Sequence, residues 1–184
     1  MKIYVVRHGQ TELNKKGVFN GRIDEGLSDE GIKQAEKTKL EIPNNIKHIY
    51  CSPLKRTRET AEILNSELHA PISFHDELQE IDAGTYNGQP LVGEFEKKHK
   101  SLQYDWRPNG GESFEDVKKR VLKFLKEINL KNKDSKDGEI LIVTHGGIIR
   151  LLTFLETGAI LDQIGNASIQ PFDLDKILNS TNTI

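Results

Sequence analysis

One cysteine, Cys51, one methionine and one tryptophan occur in 184 residues. A lone thiol excludes an intramolecular disulfide and leaves no thiolate zinc site. Long apolar runs are missing as well. The run nearest the N-terminus, Ile3 to Val6, is four residues, too short for a signal-peptide core, and no run approaches the length of a membrane span. Excess charge of one sign is also absent. With 26 basic against 28 acidic residues the formal net charge is −2, which argues against nucleic acid or an anionic membrane as the main partner. These absences predict a soluble, cytoplasmic chain. Arginine is scarce, with 7 against 19 lysines. Arg7, Arg22 and Arg56 fall within motif-like stretches, where a rigid donor fork is useful, while lysine covers the general surface.

At 20.9 kDa and 35% hydrophobic residues, one domain with a substantial core is expected, spanning 1–178, with a flexible tail at 179–184. Core strands are predicted at 2–7, 46–51, 71–75 and 139–144, and an edge strand at 167–174, where Pro171 fits poorly inside a sheet. Helical patterns fill the gaps at 28–41, 53–68, 113–130 and about 147–157. Ser28 and Ser52 are expected to cap the first two, with Pro53 at the first helical position of the second. Ser113 and Asp116 have the spacing of a capping box before the third. KNKDSKDG at 131–138 reads as a solvated turn. The alternation implies a three-layer α/β/α fold with a mostly parallel central sheet and a ligand crevice outside the carboxyl ends of its strands.

Two of those strands run directly into histidine and glycine: KIYVVRHG at 2–9 and ILIVTHGG at 140–147. A neutral imidazole attacks phosphorus well and leaves a phosphoramidate well, so His8 is a candidate nucleophile. Gly9 is expected to leave room for a phosphate, and the guanidinium of Arg7 can hold two of its oxygens in a fork. Taken alone, the tripeptide reads more readily as a strand-end histidine beside a surface arginine. Three further pieces change the odds. Thr11 and Asn14 are short polar groups able to donate to phosphate. SPLKRTRETA at 52–61 opens a helix whose free N–H groups favour anions and whose first turns carry Arg56. THGG supplies His145 and Gly146 at the start of another helix.

With these residues in place, the chain resembles the histidine phosphatase superfamily, in its phosphoglycerate-mutase-like, short-lid phosphatase form. RHGQTELN resembles the nucleophile motif, SPLKRTRETA the S-x-L-x-R-x-x-x-T-A segment, LQEIDAGTYNG at 78–88 the acid-bearing segment and THGG the second-histidine motif. GRIDEGLSDEGIKQA, GGES and NAS follow in the expected order, so the resemblance spans roughly residues 1–170. It implies that His8 is the phosphorylated nucleophile and Glu80 the proton donor. His145 joins Arg7 and Arg56 around the phosphate, with Asn14, Thr11 and Gly146 as further contacts. Tyr86 stands where the family commonly has tryptophan, and Gly26 where it often has proline, which predicts altered packing near Glu80 and a looser loop.

Between Gly88 and Gly110 lie 21 residues, within a short lid at about 86–111 that carries Lys97, Lys98, Lys100, Tyr104, Trp106 and Arg107. A mutase must shield its phosphohistidine from water, and the family's mutases resemble longer chains with larger lids. The compact lid therefore favours hydrolysis of a small phosphorylated metabolite without metal or other cofactor. A phosphoglycerate mutase is the alternative within enzymes, and a phosphate- or phosphoprotein-binding module without turnover is the alternative outside them. No Asp/His cluster has metal-ligand spacing, which disfavours a metal hydrolase. Oligomeric state has no signal in the sequence.

Overall fold

The computed structural model describes residues 1–132 and 138–180. Most of the expected turn at 131–138 and the end of the expected tail lie outside the described residues; Lys131 and Asn132 close a helix, as do Asn179 and Ser180. The elements run β1 (Lys2–Arg7), α1 (Glu12–Lys15), α2 (Asp29–Lys39), β2 (Ile46–Cys51), α3 (Lys55–Asn65), β3 (Ile72–Phe74), α4 (Gly93–Lys100), α5 (Phe114–Asn132), β4 (Glu139–Thr144), α6 (Gly146–Thr157), β5 (Ile169–Asp173) and α7 (Leu174–Ser180). Short 3-10 turns occur at Asp76–Leu78, Gly84–Tyr86 and Arg107–Asn109.

The sheet order is β3-β2-β4-β1-β5, parallel except for β5, which pairs antiparallel with β1 at the edge. Pro171 lies opposite Tyr4 on that edge strand, where its missing N–H interrupts no interior ladder. β4 sits centrally and buries both faces, which explains its unbroken apolar run. Its residues alternate between two cores. Ile140 and Ile142 pack with Ile3, Val5 and the apolar stripe of α5 (Val117, Val121, Phe124, Leu125, Ile128), with α6 and α7 in the same layer. Leu141 and Val143 pack with Val6, Ile49 and, from α3, Ala61 and Leu64 on the opposite face. The fold is therefore the expected three-layer α/β/α arrangement.

Local signals set several boundaries. Ser28 caps α2 by accepting from Gly31 N, and Ser113 with Asp116 forms the reciprocal cap before α5. Ser52 does not cap α3. That helix begins at Lys55, with Leu54 at the cap position and no side-chain bond. Nor are its first N–H groups free for an anion: Asp24 Oδ1 accepts from Lys55 N at 2.6 Å and Glu25 O from Arg56 N at 3.1 Å. Those same contacts anchor the loop around Gly26 that was expected to be loose. No helix among the described residues is long and apolar enough to cross a membrane.

Candidate active site

Strand register assembles the site. Arg7 lies opposite Thr144 and Cys51 opposite Val143. The ladder continues one step beyond: His8 N donates to Thr144 O at 3.0 Å, and Ser52 N to Val143 O at 3.0 Å. His8, Ser52 and His145 thus leave the carboxyl ends of adjacent strands side by side, beneath a cavity of about 290 Å³.

The hydrogen bonds of His8 define its tautomer. Nδ1 lies 2.7 Å from Gly9 O, which can only accept, so Nδ1 carries the proton. Nε2 therefore presents its lone pair, at present toward the Nε–H of Arg56 at 3.2 Å. Burial, then the charges of Arg56 and Arg7, hold the pKa well below the ordinary histidine value, so the ring is neutral. Arg56 is fixed by Ile23 O at 2.7 Å and Gly21 O at 2.8 Å, and burial lowers its pKa to about 10, which still leaves it charged. Gly9 is needed for a reason other than the one expected. A Cβ there would lie 2.4 Å from Gly31 O, so its absence lets α2 close against the His8 loop.

His145 lies edge-on to His8, with ring centroids 5.1 Å apart, and is fully buried rather than exposed on the cavity wall. Its Nε2 is 2.8 Å from Ser52 Oγ. Among the described residues no other acceptor takes the Ser52 proton, so Ser52 donates to Nε2 and the neutral ring carries its own proton on Nδ1. Burial and then the nearby Arg56 push the pKa well down. Among the described residues that Nδ1 has no partner, and neither has the buried Nε of Arg7, whose Nη1 donates to Ile164 O. A buried donor left unpaired costs about 1–3 kcal/mol, so both atoms have reason to take an acceptor.

Glu80 lines the cavity beside the N-terminus of α6. Its Oε2 accepts from Gly147 N at 3.2 Å and its Oε1 from Ile81 N at 3.0 Å. A Cβ on Gly147 would stand 2.4 Å from Glu80 Oε1, so this approach requires glycine. The loop is held from behind. Thr144 Oγ1 donates to Leu78 O at 2.7 Å, and Arg120 reaches Glu80 O at 3.2 Å while paired with Glu112 at 2.7 Å. Arg22 pairs with the same Glu112 at 3.2 Å, so this scarce arginine braces the Glu80 loop rather than lining the cavity. Asp82, the nearest substitute acid, accepts from Gly84 N and Asn87 Nδ2 and does not line the cavity.

Asn14 and Gly146 line the cavity as expected. Thr11 does not. It is fully buried, and its hydroxyl caps α1 by accepting from Asn14 N at 3.2 Å while also accepting from Asn20 Nδ2 at 3.0 Å. The NAS stretch supports the segment that carries His8 and Asn14: Ala167 N donates to His8 O at 3.0 Å, and Asn166 Nδ2 to Asn14 Oδ1 at 3.2 Å. Of the lid cations, Lys100 alone reaches the cavity; Lys97 pairs with Glu94, Lys98 lies over Trp106 and Arg107 pairs with Asp105. Tyr86 packs within the lid, stacked on Phe95 and tilted against Trp106. Asn20, His99 and Arg150 line the cavity without having been expected. Arg150 was findable, because it follows Gly146 at the i+4 spacing that keeps a helix face.

Comparison with known proteins bears on the family of the chain. The chain is 35% identical over 158 residues to the uncharacterized phosphatase PhoE of Bacillus subtilis, covering 85% of this chain and 78% of that one. It is 30% identical over 184 residues to the glucosyl-3-phosphoglycerate phosphatase of Mycolicibacterium vanbaalenii, covering 91% and 81%. A solved mycobacterial glucosyl-3-phosphoglycerate phosphatase in complex with VO3 superposes with a TM-score of 0.81 at 25% identity, covering 92% of this chain and 90% of that one. The family model for branch 1 of the histidine phosphatase superfamily matches residues 3–178. The chain belongs to the histidine phosphatase superfamily.

Proposed function

We propose that this protein is a metal-independent phosphomonoesterase that hydrolyses a small phosphorylated metabolite through a phosphohistidine on His8. The observation that carries the reading is the pairing of a neutral His8, its Nε2 lone pair facing the Arg56 Nε–H, with donors unpartnered among the described residues on both flanking side chains, Arg7 Nε and His145 Nδ1. A phosphoryl group on His8 gives those donors acceptors. Arg56 completes the set by turning its Nε–H from His8 to a phosphoryl oxygen as substrate enters. Donors fixed before the reaction stabilise charge that develops during transfer.

In the first half-reaction His8 Nε2 forms a bond to phosphorus as the ester P–O bond breaks, and Glu80 gives its proton to the departing oxygen. In the second, water attacks phosphorus, its proton passes to the Glu80 carboxylate, and the P–N bond breaks to release phosphate and neutral His8. The names of the relatives as phosphatases support hydrolysis over phosphoryl transfer between hydroxyls. Among the described residues no group of three or more His, Cys, Asp and Glu side chains could hold a metal ion. We place the reaction in the cytoplasm, since a fold with a single cysteine depends on no intramolecular disulfide and so needs no oxidising compartment. The test is phosphate release from p-nitrophenyl phosphate with and without EDTA and vanadate. Activity that survives EDTA and falls with vanadate is expected; activity lost on chelation and restored by magnesium would overturn the reading.

A further inference from the structure

Asn14 and Asn20 both line the cavity, and their side-chain amides touch: Asn14 Nδ2 donates to Asn20 Oδ1 at 2.7 Å. A primary amide carries donors on one side and a carbonyl on the other, so its value against a phosphate depends on which side faces the cavity. Nothing within the Asn14–Asn20 pair fixes that choice, because either amide could donate to the other. Glu25 fixes it. A carboxylate only accepts, and Glu25 Oε2 takes a hydrogen from Asn20 Nδ2 at 2.8 Å. The other hydrogen of that amide goes to Thr11 Oγ1 at 3.0 Å. Both donors of Asn20 are thereby committed, and its Oδ1 is turned to Asn14, which has to meet it with an N–H.

The far side of Asn14 agrees. Its Oδ1 accepts from Thr11 N at 3.3 Å and from Asn166 Nδ2 at 3.2 Å. Turning this amide over would bring two carbonyl oxygens together and point its donors at two other donors. The second hydrogen of Asn14 Nδ2 has no acceptor among the described residues, which leaves it for a ligand in the cavity. Glu25 does not line the cavity, and Leu13 N, 3.3 Å from its Oε1, holds it against the start of α1. Its negative charge therefore stays back from a phosphate while its effect on the two amides reaches one. Asn20 is only 4% exposed, so water competes little with these bonds.

We propose that Glu25 is a positioning residue that acts through Asn20, so that Asn14 presents an N–H rather than its carbonyl to the transferring phosphoryl group. The proposal rests on the phosphomonoesterase reading, with Asn14 in contact with the phosphate. The test is a double-mutant cycle on kcat/KM for p-nitrophenyl phosphate, with a thermal melt of each variant. Asn14→Ala should lower kcat/KM by about 10- to 100-fold, as expected for a hydrogen bond to a charged group. Glu25→Ala should lower it about fivefold or more, because both amides are then free to turn over. In the Asn14→Ala background the same Glu25→Ala change should cost less than about twofold, since the group it orients is gone. Glu25→Gln should keep most of the wild-type value, because its amide oxygen can still accept from Asn20. Losses that multiply in the double variant would show Glu25 acting through another group, with Arg56, whose N donates to Glu25 O at 3.1 Å, the first to examine, and would overturn the relay. A Glu25→Ala enzyme with wild-type kcat/KM, or equal losses in Glu25→Gln and Glu25→Ala, would overturn it as well. Unchanged kcat/KM in Asn14→Ala would remove the relay and leave the hydrolase reading intact. Failure of the wild type to release phosphate would overturn the hydrolase reading and this proposal with it. Should Glu25→Ala not fold, Glu25→Met fills a similar volume without an acceptor and carries the same cycle.

Discussion

Ser52 Oγ lies 2.8 Å from His145 Nε2, and both side chains are fully buried. The serine proton fixes which nitrogen of His145 is protonated, and so decides whether this ring can donate to a phosphoryl oxygen. Ser52→Ala should slow phosphorylation of His8 by about 5- to 30-fold, the worth of one hydrogen bond of about 1–2 kcal/mol. Ser52→Thr should keep most of the rate. Equal losses in the two variants would show that packing, rather than the hydroxyl, is what matters at this position.

Buried neutral histidines make the fold sensitive to acid. His8, His145 and His99 all have folded pKa values below the unfolded value of about 6.5, burial being the largest cause in each. Between folded and unfolded values the unfolded chain binds more protons, so stability rises with pH up to about 6.5 and then levels. Each group steepens the acid-side loss by up to about 1.4 kcal/mol per pH unit. Glu112 adds a separate, more acidic step. Burial would raise its pKa, but the Arg120 hydrogen bond and charge hold it below the ordinary glutamate value, so its contribution is lost as pH falls through that lowered value. Urea unfolding at pH 7.5, 6.5 and 5.5 should show a plateau and then a decline. Flat stability down to pH 5.5 would contradict the neutral assignment of these rings.

Two glycines predict different failures. A Cβ at Gly147 meets Glu80 Oε1 at 2.4 Å and Ile81 Cδ1 at 2.5 Å, so Gly147→Ala should displace the acid and cost about tenfold or more in turnover. A Cβ at Gly9 meets backbone at 2.4 Å, so Gly9→Ala should lower stability by about 1–3 kcal/mol through overpacking. Thermal melts and rates measured on both variants separate the two effects. A fully active Gly147→Ala enzyme would remove the case for the present Glu80 position.

What the sequence made legible follows from where its signals are local. The strands stand out because β4 and β1 carry short apolar runs, and the residues just past them declare the crevice edge. His8, Arg56, Glu80 and His145 sit in ordered motifs, and the register of β1, β2 and β4 brings three of those segments together. Ser52 was misassigned because Ser-Pro before a helix has the pattern of a cap, while its hydroxyl is taken by a histidine 93 positions away in sequence. Thr11 was misassigned for the opposite reason: its capping-box spacing to Asn14 was visible, but its proximity to His8 suggested a ligand contact instead. His99 reaches the cavity through lid packing against Phe19 and Tyr104, which no local pattern encodes.

The role of Glu80 separates by leaving group. An alkoxide needs a proton as its bond breaks, whereas nitrophenolate leaves without one, and general acid help is typically worth about 10²–10⁴-fold. Glu80→Gln should therefore slow His8 phosphorylation by an alkyl phosphate far more than by p-nitrophenyl phosphate. Single-turnover labelling is the measurement, because steady-state rates also include the water-activating step. An equal loss with both esters would mean that Glu80 only positions the phosphate.

The phosphoenzyme itself tests the account most directly. Wild-type protein mixed with a radiolabelled phosphomonoester, quenched in alkali and mapped by peptide mass spectrometry, should carry acid-labile phosphate on His8. The label should form and decay fast enough to account for turnover, and none should appear in His8→Ala. Label on His145, or phosphate release with no labelled intermediate at all, would contradict it.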